Sequence, residues 1–192
     1  MPFDKILEKF ADNTEVMNRL VTIVEENSTI SDENKVKLAK HCMQIDTNGN
    51  VTFDPAKLPK GVSTRKILDT LLPKDCSKGD AQKIYEAIIT SFTEVNEDFL
   101  SAINNHYPHS DVVKNKVKKL LADESKKGTS EYNQLVHNAT TWNYLDDKLK
   151  AKIFDESSTA QKRRIIENTG YKKGTMIIVK TGDTIDTLVK NY

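Results

Sequence analysis

The sequence predicts a mainly α protein: a compact bundle of about eight short helices, with a small β-hairpin near residues 43–54 and a C-terminal strand–helix appendage. Three observations carry that expectation. Apolar residues recur three and four positions apart through most of the 192 residues, the period of a helix that buries one face. The period shortens to two across 43–54, around an Asn48-Gly49 turn. Near the end, an unbroken apolar run, Met176-Ile177-Ile178-Val179, meets the turn residues Gly182-Asp183-Thr184.

Phe3, Ile6, Leu7 and Phe10 share one helical face, and the pattern restarts after Asp12-Asn13 with Val16, Leu20, Ile23 and Val24. This gives one bent helix or two short ones. Ser31 serves as N-cap for a helix carrying Val36, Ala39 and Cys42, and Asp32 and Glu33 suit the positive end of its dipole. In the hairpin, Asn48 and Gly49 both tolerate the positive φ of a two-residue turn. Pro55 and Pro59-Lys60-Gly61 then close it with a loop.

Ser63 caps a helix holding Ile67, Leu68, Leu71 and Leu72, and Pro73 stops it. Ile84, Tyr85, Ile88, Ile89 and Phe92 form the next face. Thr93 is read as the start of a helix with Phe99, Leu100 and Ile103, ending by Pro108. Ser110 caps a lysine-rich helix with Val113, Val117, Leu120 and Leu121 on one side. Beyond Ser125-Lys126-Lys127-Gly128, Tyr132, Leu135, Val136 and Ala139 make one stripe. Trp142, Leu145, Leu149, Ile153 and Phe154 continue at the same spacing. Ser158 opens a last body helix through Arg163, Arg164, Ile165 and Ile166, and Gly170 is placed to end it in a left-handed conformation. The expected organisation is a helical body over 1–170 and a strand–turn–helix appendage over 171–192.

The hydrophobic share of 37% against 30% charged residues implies a thin core and much solvated helix surface. Net charge is +1, yet residues 1–34 carry a net −5 and residues 111–192 a net +5. Such polarity steers partners or sets head-to-tail packing, without the density of a nucleic-acid tail. No apolar run approaches the ~18 residues that span a bilayer, and the opening residues lack the apolar core of a signal peptide. The expectation is a soluble protein without a membrane partner, not exported by a signal peptide.

Candidate chemistry is sparse. Cys42 and Cys76 have no metal or redox spacing and are expected as buried free thiols. His106 and His109 flank Tyr107-Pro108 and read as exposed turn histidines, His137 as a helix-surface residue. His41 and Cys42 are adjacent, so on a helix they point apart. Asp46 to Asp54 superficially follows a calcium loop, but its glycine falls at the fourth place instead of the sixth, and Lys57 stands where a bidentate Glu belongs. Asp146-Asp147 reads as a solvated pair among lysines. No nucleophile elbow, phosphate loop or His-Glu-x-x-His helix occurs. The expectation is a protein that is not an enzyme and has no metal or cofactor.

Two basic clusters are the sharper candidates: Lys114, Lys116, Lys118, Lys119, Lys126 and Lys127, and then Lys162, Arg163 and Arg164 with Lys172 and Lys173. Solvated helix faces and phosphate contacts both account for them. The segment Lys162 to Met176 resembles a helix-turn-helix unit of the TetR-like type, a helix ending at glycine followed by Lys-Gly-Thr. That resemblance implies nucleic-acid contacts from Arg163, Arg164, Lys172 and Lys173. The β-branched Ile177, Ile178 and Val179 favour a strand over a recognition helix.

Val179 to Tyr192 resembles the first half of a LysM module: a strand ending in Val, a Gly-Asp-Thr turn, then a helix with Ile185, Leu188, Val189 and Tyr192 in the family's places. The resemblance implies glycan, typically peptidoglycan, binding at Gly182, Asp183, Thr184 and Ile185. The family's second helix and strand do not follow in this sequence. Related modules occur in phage tails, which implies a virion as the alternative to a cytoplasmic location. A strand at Ile177, Ile178 and Val179 needs a pairing partner, either the hairpin or a neighbouring subunit. The sequence thus points first to a structural or interaction protein whose C-terminal strand docks onto a protein partner or another copy. Nucleic-acid binding and glycan binding are the alternatives.

Overall fold

The computed structural model describes residues 3–106 and 110–173. The appendage residues 174–192, including Ile177, Ile178, Val179, Gly182, Asp183, Thr184 and Ile185, lie outside the described residues, as does His109.

The chain is mainly helical, with eleven helices among the described residues. They are α1 (Phe3–Phe10), α2 (Thr14–Glu26), α3 (Asp32–His41), α4 (Thr64–Lys66, running into a π turn at Ile67–Leu71), α5 (Gly79–Ser91), α6 (Glu97–Asn105), α7 (Asp111–Leu121), α8 (Ser130–Val136), α9 (Ala139–Tyr144), α10 (Asp147–Glu156) and α11 (Thr159–Thr169). The expected count of about eight rises because two apolar stripes are interrupted. Asn13 ends one stripe by capping α2 through Val16 N–H, and Asp146 accepts from Leu149 N–H to start α10. Side-chain caps from Ser31, Ser63, Asn96, Ser110, Thr129, Asn138 and Ser158 open most of the other helices. Each satisfies an otherwise orphaned N–H, at about 1 kcal/mol. The helix expected from Thr93 starts at Asn96 instead, whose Oδ1 takes the Phe99 N–H at 2.9 Å.

The hairpin forms as expected, from β1 (Gln44–Ile45) and β2 (Val51–Thr52), antiparallel with Ile45 opposite Val51. Its turn differs. Only Gly49 takes a positive φ, +80°, and Asn48 does not. Gly49 N–H donates to Asp46 O and Asp46 N–H to Asn50 O, so three residues form the loop with glycine as the bulge. Asp46 Oδ1 accepts the N–H groups of Asn48 and Asn50, each at 2.8 Å, and this carboxylate explains the longer loop.

The pairing of Asp46 with Asn50 fixes the ladder's phase. Val51 lies one residue on, in a position whose own N–H and C=O point away from β1. β2 packs on α5, α5 on α3 and α7, α7 on α9, and α9 on α11. The core runs through this series, with Tyr85, Phe99, Ile84, Ile88, Leu68 and Trp142 among its largest buried side chains. At the end of α4 the Leu72 N–H reaches back five residues to Ile67 O. That wider turn lets Ile67, Leu68 and Leu71 all face the core before Pro73. No helix of the described residues is long and apolar enough to cross a membrane.

Candidate functional site

Where the body hands over to the C-terminal segment, the path of the chain is fixed by named contacts. Ser158 and Gln161 form a reciprocal capping box at the start of α11. Gly170, at φ +68°, ends the helix and donates its N–H to Ile166 O at 3.0 Å. A side chain there would strain the left-handed turn. Thr169 Oγ1 then accepts the Tyr171 N–H at 3.2 Å.

The turn directs Tyr171 back onto the bundle. Its ring meets Trp142 edge-on at 5.1 Å and Phe154 at 5.3 Å, both favoured aromatic geometries. Lys162 Nζ lies 5.7 Å above the Phe154 ring, and Lys173 pairs with Asp155 at 2.5 Å. Residues 171–173 therefore lie against α9 and α10.

The basic residues fall in several settings. Arg163 is exposed and paired with Glu167 at 2.8 Å, one helical turn on. Arg164 and Lys172 are exposed, and Arg164 helps lower the pKa of His137, after burial. Lys173 is bound to Asp155, so two of these four residues are ion-paired. Within the other cluster, Lys116 donates to Thr90 O at 3.1 Å, Lys114 pairs with Asp111 and Lys126 with Glu94. Lys127 bridges Glu124 and Glu156, and Lys152 joins Glu124 at 2.6 Å. Hydrogen bonds from Lys127 and Lys152 hold the Glu124 carboxyl down to about 2, and the same carboxylates raise Lys127.

A buried cluster escaped the sequence reading. His106, expected to be exposed, is 6% exposed and sits beside Cys76, thirty residues away. Its Nδ1 lies 2.8 Å from Pro73 O; a carbonyl only accepts, so Nδ1 carries the proton. Cys76 Sγ donates to the same carbonyl at 3.1 Å and stands 3.8 Å from Nδ1. Tyr85 packs its ring 5.6 Å from the imidazole and donates its hydroxyl to Ala102 O.

The pair is not a nucleophile with its base. Nδ1 has spent its proton on Pro73 and offers the thiol no lone pair, and burial, with Asp75 adding, pushes the Cys76 thiol up to about 12. A thiol helix-distant in sequence, held by a proline carbonyl, leaves no spacing pattern to find. Cys42 is also free and buried, its thiol raised to about 11 by desolvation. His137 is half-buried at the end of α8, with its Nε2 enclosed, and not simply on the surface. Among the described residues no group of three or more His, Cys, Asp or Glu could hold a metal.

Two grooves are open. One, of about 450 Å³, runs between β2 and α5, with Val51, Phe53, Ala87, Thr90 and Val112 in its walls. A second, of about 470 Å³, lies beside the buried cluster, between Asp69, Lys74, Asn104 and His106. Comparison of the chain with protein-family models, with curated proteins and with solved structures gives no match.

Proposed function

We propose that the protein is a non-catalytic structural or interaction component of a larger assembly, whose helical body holds its C-terminal segment for docking onto a protein partner. One observation carries this reading: the aromatic seat of Tyr171 on Trp142 and Phe154, with the Lys173–Asp155 pair. It makes residue 173 a fixed origin for the apolar run at 176–179. A segment launched from an ordered point loses less entropy on docking than one launched from a free end. The cytoplasm and a virion both suit such a component.

The chemistry of the interior supports a non-catalytic role. The cysteine–histidine approach between Cys76 and His106 is spent on a backbone carbonyl, and its thiol stays protonated at neutral pH. Nucleic-acid binding through Arg163, Arg164, Lys172 and Lys173 is the second reading, favoured by the exposure of Arg163, Arg164 and Lys172 at one end. Glycan binding through Gly182 to Ile185 is the third.

Light scattering on the full chain and on a chain ended after Lys173 tests the first reading. The full chain is expected to associate and the shortened one to stay monomeric with an unchanged helical circular dichroism spectrum. Equal masses would refute it. Duplex DNA and peptidoglycan binding test the alternatives: affinity that falls steeply between 50 and 200 mM salt and is lost in an R163A/R164A/K173A variant would favour nucleic acid.

A further inference from the structure

Asn48 is the one asparagine of the sequence that glycine follows. That pair is chemically fragile, because glycine has no Cβ to keep its amide nitrogen away from the asparagine side chain. Attack of that nitrogen on the side chain needs an exposed Asn48 amide, room to turn it, and a Gly49 N–H that is not engaged. The first two conditions are met. Thr47, Asn48, Gly49 and Asn50 are all exposed, and apart from its chain neighbours nothing lies within 4 Å of where a Cβ on Gly49 would stand.

The third condition is withheld by Asp46. Gly49 N–H donates to Asp46 O at 3.0 Å. The Asp46 carboxylate accepts the N–H groups of Asn48 and Asn50 at 2.8 Å each, and Asn50 Nδ2 at 3.0 Å. Bonds from the Asn50 side chain, then from the Asn50 and Asn48 amides, hold the carboxyl below its ordinary value, so at neutral pH it stays ionised and accepting. The latch is light. The ladder behind it pairs only Gln44 with Thr52 and Ile45 with Val51, and the tip of so short a hairpin opens far more readily than the helical core.

We propose that Asn48 is a deamidation site latched by Asp46: the closed loop keeps the Gly49 amide engaged, and each opening exposes the pair to conversion into aspartate and isoaspartate. In the open loop the Gly49 nitrogen gives its proton to hydroxide and attacks Asn48 Cγ. The N–Cγ bond forms, the Cγ–Nδ2 bond breaks, and Nδ2 takes a proton from water and leaves as ammonia. Water then opens the resulting succinimide ring. Cleavage at Cγ leaves aspartate in an ordinary chain. Cleavage at the main-chain carbonyl of residue 48 leaves isoaspartate, its backbone running through Cβ and Cγ. Either product sets a second carboxylate beside that of Asp46, and isoaspartate also adds a methylene to a loop whose ends are fixed by the bond between Asp46 N–H and Asn50 O. Conversion is therefore one-way and leaves the hairpin tip looser and more acidic.

Ageing the full chain in mildly alkaline buffer tests this, with peptide mapping by mass spectrometry and an isoaspartate-specific methyltransferase to count the second product. Wild type is followed folded and in urea, beside D46A and, as a blank, N48Q, whose longer side chain cannot close the same ring. Asn48 is expected to convert about tenfold faster or more in urea than in the folded chain, and D46A with an unchanged helical circular dichroism spectrum about tenfold faster or more than folded wild type. Folded wild type should convert at the unfolded rate multiplied by the open fraction that hydrogen exchange reports for the Gly49 amide, a relation that needs no variant. Wild type that converts equally fast folded and in urea, or D46A that keeps its helical spectrum and converts no faster than wild type, would overturn the latch. No conversion at Asn48 in urea would overturn the site itself. Where D46A loses its helical spectrum, the wild-type relation decides, and a folded rate about tenfold or more away from it overturns the proposal.

Discussion

α5 and α11 are of similar length, 13 and 11 residues, and are held in opposite ways. α5 buries Ala81, Ile84, Tyr85, Ile88 and Ile89 and is touched by β2, α3 and α7. α11 buries Ile165 alone and leaves Ile166 47% exposed. It is fastened at its ends instead, by the Ser158–Gln161 box, by Gln161 Nε2 on Asn133 at 2.8 Å, and by Tyr171 behind Gly170. The difference teaches how a protein with a thin core divides its work. A central helix carries cooperative stability, and a rim helix positions a segment that has a task elsewhere.

The comparison can be broken first at the centre. Ile88→Ala should cost about 3–5 kcal/mol, because a fully buried methyl-rich side chain leaves a cavity among α5 and its neighbours. Urea unfolding monitored by circular dichroism checks this, and hydrogen exchange should quicken throughout the body. Tyr171→Ala should cost about 1–2 kcal/mol, the edge-on contacts plus part of the ring's burial. Its exchange signature should be confined to α10 and α11, leaving α5 protected. Ser158→Ala should cost about 1 kcal/mol through the lost cap, again with faster exchange in α11 alone.

Acid should act on the rim next. Glu124 is held at about 2, below the ordinary carboxylate value of 4.5, by Lys127 and Lys152. A depressed carboxylate contributes fully above its ordinary value and loses that contribution as pH falls through about 2. Amides near Glu124–Lys126 and in α10 should therefore lose protection between about pH 4.5 and 2, and Glu124→Gln should remove that dependence. Solvent screening keeps the effect small, and high salt should reduce it further. Smallest of all is thiol chemistry: Cys42 and Cys76, raised to about 11 and about 12, should resist a disulfide reagent at pH 7 until the protein unfolds.

Much of the helical body was legible because its punctuation is local. Ser31, Ser63, Ser110 and Ser158 cap the helices that their positions announce, and Gly170 ends α11 as a left-handed residue must. Helical spacing alone could not show that Asp146 divides the stripe from Trp142 to Phe154, since a cap inside a periodic run leaves the period intact. The hairpin was legible from Asn48-Gly49, but its loop length was set by a side chain, Asp46, that a dipeptide rule ignores. The buried His106 and the seat of Tyr171 depend on contacts across 30 and 29 residues, to Cys76 and Trp142. Neither leaves a spacing signal.

Hydrogen exchange on the full chain, compared at low and high protein concentration, tests the docking account most directly. The account predicts that amides of residues 176–180 gain protection as concentration rises, while those of α5 are equally protected at both. Identical exchange of residues 176–180 at the two concentrations, with a constant sedimenting mass, would contradict it.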